Sequence, residues 1–410
     1  VSGHRLDPDG PGRLLTAPGL ARVLTALSVP GEHTRLVGGC VRDALLGHPS
    51  NDIDLATTLL PEAVIARARA AGLRSIPTGI AHGTVTLMAE GATFEVTTLR
   101  EDIETDGRHA VVRFGRDFGL DAARRDFTIN ALSVDANGEL HDTTGGLADL
   151  AAGRVRFIGE AATRIREDAL RILRFFRFQA RYGAGAPDPE GLAACIGARA
   201  SLDGLSRERV RAEFLKLLLA PGAVPAVTTL SETGLLGRLI GGIGDLRRFE
   251  RVARPNWDET ARLAALAVFS VDDAERLAQR LRLSKAEQNG LVAYAGALVA
   301  VKDRAEIDGF GVRSLTVVHG VRALALASAA LDYGDRAHLN AEARDLLRRM
   351  VRGDVPVPVF PLTGGDLMAL GIAAGPEIGR RLGRARAVWL AGGCQADAGT
   401  RKILLARALD

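Results

Sequence analysis

Lysine is nearly absent from this chain of 410 residues: Lys216, Lys285, Lys302 and Lys402 are the only four among 53 basic residues. An arginine-dominated positive charge is consistent with bidentate phosphate contact, and equally with coding bias. Cysteine is as scarce. Cys40, Cys195 and Cys394 lie far apart, which excludes a disulfide framework and a CxxC metal knuckle. Long apolar runs are missing too. The longest, Leu291 to Val301, falls short of the roughly 20 residues that cross a bilayer, so no membrane is expected as a partner. The first residues carry no basic-then-apolar signal, and a cytoplasmic location is the expectation. There is no fixed-period repeat and no low-complexity tract. What remains is 47% hydrophobic with a net charge of +4 and a pI near 9.2. That suffices for ordinary cores in two or three domains and mildly favours an anionic partner.

Residues 34 to 158 mix β-rich runs with turns and short helical stretches. Thr34 to Cys40, Asp52 to Ala56, Thr84 to Ala89 and Thr93 to Leu99 read as strands. Alternation in Phe94-Glu95-Val96-Thr97 sets Glu95 on the face opposite Val96, so an acid can leave the core there. From about Ala161 the pattern changes to Ala/Leu/Arg stretches with helical spacing: Ile165 to Tyr182, Arg207 to Leu219 and Ala274 to Leu283. Ser284-x-x-Glu287 has capping-box spacing and predicts another helix start, while Gly353 to Pro361, with three prolines, reads as a linker. The fold class is α+β, a mixed sheet followed by an all-α half.

Four segments carry candidate chemistry, each with a plainer alternative. Gly38-Gly39 follows a strand and precedes a helix expected near Val41; the backbone there can approach an anion, with Arg42 adding charge, or can simply turn. Asp52 and Asp54 alternate on a short strand, so both carboxylates can enter one site and bind hard divalent cations, Mg²⁺ being the natural candidate. Two ions about 4 Å apart would suit in-line phosphoryl displacement, with Glu95 completing the cage; otherwise the acids are turn or surface residues. Arg124-Arg125-Asp126-Phe127-Thr128-Ile129-Asn130 offers two guanidinium groups for triphosphate oxygens and a carboxylate and amide for ribose hydroxyls, or a salt-bridged helix start. In the predicted helix Glu167 to Arg177, Asp168 and Arg171 stand three residues apart on one face. A carboxylate and a guanidinium so placed can read the Watson–Crick edge of cytosine or adenine. The alternative is an ion pair on a solvated face with Arg174, Arg177 and Arg181.

In this order the segments resemble the class II nucleotidyltransferases, the bacterial CCA-adding enzymes and their poly(A) polymerase relatives. The resemblance rests on Gly38 to Asp54, Arg124 to Leu132, Gly145 to Leu150, Glu167 to Arg181 and Arg209 to Lys216, with looser similarity at Arg280 to Ser284 and Phe360 to Gly371. It implies a catalytic head over 1–158, a helical neck with a nucleobase-selecting helix over 159–222, a helical body over 223–352 and a tRNA-binding tail over 353–410. It also implies that Asp52 and Asp54 bind Mg²⁺ with Glu95 as third acid. Arg42, Arg124 and Arg125 would address the triphosphate, Asp126 and Asn130 the ribose, and Glu167, Asp168 and Arg171 the base, with Gly38, Gly39 and Arg174 also part of the nucleotide site. The family's loop between the Glu95 strand and Arg124 is linked to the switch from C to A addition; the charged run Arg100 to Arg108 fills that place, which implies full C, C, A activity. Some relatives carry a histidine–aspartate hydrolase domain. The one His-Asp pair here, His141-Asp142, lies within the head, and the C-terminal half has only His319 and His338, so no hydrolase activity is expected.

The function expected is template-independent transfer of CMP and AMP from CTP and ATP to the 3′ end of tRNA. A poly(A) polymerase is the rival, but would benefit from a strongly basic extension. From Ala341 to Asp410 eleven Arg or Lys face seven Asp or Glu, a mild excess. The third possibility, a non-catalytic tRNA-binding module, leaves the acids as an unneeded repulsive cluster.

Overall fold

The computed structural model describes residues 7, 9–50, 52–105, 110–332 and 339–409. Asn51, Asp106 to Arg108 and His338, which figured in the sequence reading, lie outside them. The chain divides into two compact units, 1–226 and 227–410.

The first unit is built on a seven-stranded sheet. Its strands are β1 (Thr34–Val37), β2 (Ile53–Thr57), β3 (Arg74–Gly79), β4 (Thr84–Ala89), β5 (Ala92–Thr98), β8 (Ser133–Asp135) and β9 (Leu140–His141), in the order β3-β4-β5-β2-β1-β8-β9. A separate hairpin pairs β6 (Arg100–Thr105) with β7 (Ala110–Phe114). Among the described residues β2 and β5 form the one parallel pair of this sheet and every other pair is antiparallel, so the sheet is mixed as the α+β reading requires. The expected strand over Thr34 to Cys40 stops at Val37, and the following helix, Gly39–Leu45, begins two residues before the predicted start. The cause is Gly38, at φ +74°, a conformation that ends the strand and that a side chain resists. Strands β3 and β6 to β9 were not read from sequence.

Ile165 to Tyr182 is not one helix. It is split into Ala161–Glu167 and Arg171–Tyr182, with Asp168 extended between them at φ −152° and ψ 105°. Asp168 Oδ1 accepts from the Leu170 N–H at 3.1 Å, a local bond that competes with helix continuation. The second of these helices packs through an aromatic cluster on the isolated bridge between Phe127 and Phe157. Phe127 lies 4.9 Å from Phe157 and 5.1 Å from Phe178, Phe157 stacks on Phe175 at 5.5 Å, and Phe178 meets Tyr182 at 5.6 Å. Such contacts add to the burial of rings that are almost wholly removed from water. Nearby, a Cβ on Gly146 would stand 2.2 Å from the Thr128 carbonyl oxygen, so the backbones meet there only because residue 146 is glycine.

The regular elements among the described residues of the second unit are all helices. Arg207–Leu219, still in the first unit, and Lys285–Lys302 in the second start where the sequence placed them; Ser284 and Glu287 form the reciprocal capping box. The helix expected from Ala274 begins earlier, at Val271, behind a second box made by Ser270 and Asp273. The proline-bearing segment after Arg352 carries no helix until Gly364. Among the described residues no single helix is long and apolar enough to cross a membrane; the pair Gly309–His319 and Val321–Ala330 passes on length and composition but is bent by 118°.

Candidate active site

The parallel register of β2 and β5 sets Asp54 directly beside Glu95. Ile53 and Leu55, like Phe94 and Val96, are buried, so period-two alternation turns Asp52, Asp54 and Glu95 to the other face. Asp52 sits one residue before the strand rather than on it. Burial first, then the neighbouring charges of Glu95 and Asp52, push the Asp54 carboxyl up to about 6 from its ordinary 3.8, against a pull downward from Arg125. The three acids therefore repel one another and are only partly relieved.

A carboxyl whose folded pKa lies above its unfolded value destabilises the fold once ionised: the penalty is absent below about pH 3.8 and complete above about pH 6. Asp54→Asn is accordingly expected to stabilise the metal-free protein at pH 7.5 by about 1 kcal/mol, allowing for screening at a side chain that reaches solvent. The gain should fade by pH 4. Metal-free thermal melts across that range check it, and destabilisation at pH 7.5 would refute the assignment of repulsion.

Facing the acids is an arginine pair. The helix Phe118–Ala123 is capped by Asp117 and ends at Arg124. Its buried Asp121 precedes Arg124 by three residues and Arg125 by four, the spacings at which helical side chains meet. Arg124 donates to Asp121 Oδ1 through Nε (2.9 Å) and Nη2 (2.5 Å), and Arg125 to Oδ2 through Nε (3.3 Å) and Nη2 (3.1 Å). Asp54, Glu95, Asp121, Arg124 and Arg125 share one cleft of about 200 Å³. Arg125 Nη1 donates to the Asn130 carbonyl at 3.3 Å, and a Cβ on Gly38 would lie 2.9 Å from that same Nη1. The glycine pair thus admits a guanidinium from within the protein. The helix Gly39–Leu45 follows it without a side-chain cap.

Beneath the cleft runs a buried polar chain. Arg42, 6% exposed, lies 4.2 Å over the Tyr182 ring and donates to Asn130 Oδ1 at 2.5 Å. Asn130 Nδ2 donates to Asp126 Oδ1 at 2.9 Å, and Arg174 Nε to Asp126 Oδ2 at 2.7 Å. Glu213 then pairs with Arg174 at 3.7 Å and Arg177 at 2.5 Å. Burial would raise the Asp126 carboxyl, but Arg174 and the hydrogen bonds from Asn130 and Phe127 hold it below the usual carboxylate range. Arg42, Asp126 and Asn130, expected to face phosphate and ribose, are in this structure satisfied by one another.

The expected Asp168–Arg171 pair on one helix face is not formed, because the helix breaks between them. Arg171 binds Glu167 at 2.5 Å and reaches the Arg124 carbonyl at 3.3 Å, whereas Asp168 binds Arg209 at 2.6 Å. Glu167 and Arg171 are therefore joined to the arginine wall of the cleft. Asp121, Arg209, Glu213 and Tyr182 were missed as site residues by sequence reasoning. Only Asp121 left a signal, its spacing to Arg124 and Arg125.

Residues 34–156 match the Poly A polymerase head domain, and 186–243 match the probable RNA and SrmB-binding site of polymerase A. The chain is 37% identical over 365 residues to CCA tRNA nucleotidyltransferase 1, mitochondrial, of Danio rerio, covering 87% of this chain and 83% of that one. It is 38% identical over 244 residues to the CCA-adding enzyme of Leuconostoc citreum, covering 57% and 59%. Its fold superposes on the Bacillus stearothermophilus CCA-adding enzyme in complex with CTP with a TM-score of 0.74 and 27% identity, over 98% of both chains. Similarity of that extent places the chain in the class II family of tRNA nucleotidyltransferases and poly(A) polymerases.

Proposed function

We propose that the protein completes tRNA 3′ ends, transferring CMP and AMP from CTP and ATP and releasing pyrophosphate, with no nucleic-acid template. The observation that carries this reading is the cleft in which Asp54 and Glu95, from adjacent strands, face Arg124 and Arg125. Relatives named for CCA addition match this chain over most of its length. The 3′-hydroxyl of tRNA attacks the α-phosphorus, a P–O bond forms, and the bond to pyrophosphate breaks.

The donor set of Asp52, Asp54 and Glu95 is all oxygen, and the burial and neighbouring carboxylate charges that raise Asp54 are what a divalent cation would offset, so these residues fit Mg²⁺. Asp52 and Asp54 would hold it, with Glu95 as third acid. Bound there, the ion supplies activation of the hydroxyl and neutralisation of charge on the leaving group. Arg124 and Arg125 orient the triphosphate across the cleft, and Asp126 and Asn130 set the floor under the ribose. Glu167, Asp168 and Arg171 read the base, with Arg171 joined to the arginine wall through the Arg124 carbonyl. In this reading 1–158 is the catalytic head and 159–222 the neck, while the body over 223–352 and tail over 353–410 hold the acceptor arm.

The test supplies tRNA lacking its terminal CCA with each labelled nucleotide alone and with both together, and sizes the products. Three residues and a stop are expected. A long adenylate ladder would instead favour the poly(A) polymerase reading, after which the matching head domain is named.

A further inference from the structure

We propose that Asp121 is a positioning residue that clamps Arg124 and Arg125 in the orientation that receives the nucleotide's triphosphate; this rests on the function proposed above. Each guanidinium is held along its Nε–Nη2 edge by a different oxygen of the one carboxylate, at 2.5 to 3.3 Å. A bidentate grip of this kind fixes both the position and the plane of a guanidinium, which a single hydrogen bond does not. Asp121 is 4% exposed, and it sits on a helix whose first turn is pinned by Asp117, so the clamp has a rigid base. The side chains it holds are about one-quarter exposed, at 23% each, and open to the cleft that contains Asp54 and Glu95. Arginine loses much rotamer freedom when it binds an anion, and an arrangement fixed beforehand removes that loss from the binding step. Asp121 also cancels part of the arginines' charge, which by itself weakens anion binding; the proposal is that orientation outweighs charge.

The consequence concerns all nucleotides alike, since the triphosphate is common to CTP and ATP. Asp121→Asn keeps the shape and one acceptor but loses the second bidentate grip. It is expected to raise KM for both CTP and ATP roughly tenfold, the cost of ordering one released arginine side chain, with the preference for C, C, then A unchanged. Metal-free binding of inorganic tripolyphosphate, measured by calorimetry, is expected to weaken by a similar factor. Thermal melts establish that the variant is folded. In an Arg124→Gln/Arg125→Gln background the clamp has nothing to hold, so adding Asp121→Asn should change tripolyphosphate binding less than twofold. Unchanged or tighter binding in the single variant, or full multiplicative loss in the triple variant, would overturn the clamp. Wild-type protein that adds no nucleotide to tRNA would overturn the activity instead, and the tripolyphosphate measurement stands independently of it.

Discussion

Asp52→Ala and Asp54→Ala are each expected to lower nucleotide incorporation by roughly a thousandfold or more, while binding of tRNA should change little. The magnitude follows from losing the oxygen donors proposed for a divalent ion, which would stabilise charge by several kcal/mol at the reacting phosphate, at about 1.4 kcal/mol per tenfold in rate. Selectivity for chemistry over binding follows from placement. Both acids lie at the β2–β5 pair, Asp54 in the cleft, and among the described residues neither makes a side-chain hydrogen bond that the fold depends on. Asp54→Ala removes a repelled carboxylate, so its melting temperature without metal should not fall. Single-turnover incorporation, filter binding of tRNA and a melt, done on the same preparations, distinguish a dead site from a damaged fold. Incorporation within tenfold of wild type would remove the acids from the mechanism. Glu95→Ala should fall between, since in the proposed site Asp52 and Asp54 hold the ion and Glu95 is the third acid beside them.

The sequence carried the acids and the arginines because their signals are local. A strand's alternation needs only a few residues to show that Asp54 and Glu95 leave the core, and two adjacent arginines need none. The parallel pairing that makes Asp54 and Glu95 neighbours spans some forty residues of chain, with β3 and β4 between, so the sequence offered Glu95 as a third acid without fixing its register beside Asp54. The break at Asp168 was missed for a related reason. Ile165 to Tyr182 has helical periodicity throughout, and the bond from the Leu170 N–H and the ion pair with Arg209 that hold Asp168 extended leave no trace in hydrophobic spacing. The same holds for Arg42 and Asp126. Their types suit a ligand, but whether they face it or each other depends on the distant Tyr182, Asn130 and Arg174, which the fold brings together.

That buried chain makes the second large expectation one of stability. Arg174→Met leaves the Asp126 carboxylate, 7% exposed, with hydrogen bonds from Asn130 and the Phe127 N–H but without the cation that pairs with it at 2.5 Å. Uncompensated buried charge costs about 3–5 kcal/mol, and because the Arg174 side chain is 31% exposed the lower end, about 3 kcal/mol, is expected. Asp126→Asn should cost less, since Arg174 keeps Glu213 and some solvent. The double variant should be less destabilised than the sum of the two, because the charge left stranded in one is absent from the other. Acidity supplies an independent check. Asp126 is held below its ordinary 3.8, so its stabilising contribution is complete above about pH 3.8 and is lost as pH falls through the depressed folded value. The difference between wild type and Arg174→Met should therefore be full at neutral pH and shrink in strong acid. Additive losses in the double variant, with a gap that does not narrow in acid, would mean that the pair is a packing contact and that the path from Arg174 through Asp126 and Asn130 to Arg42 has no electrostatic part in holding the floor of the cleft.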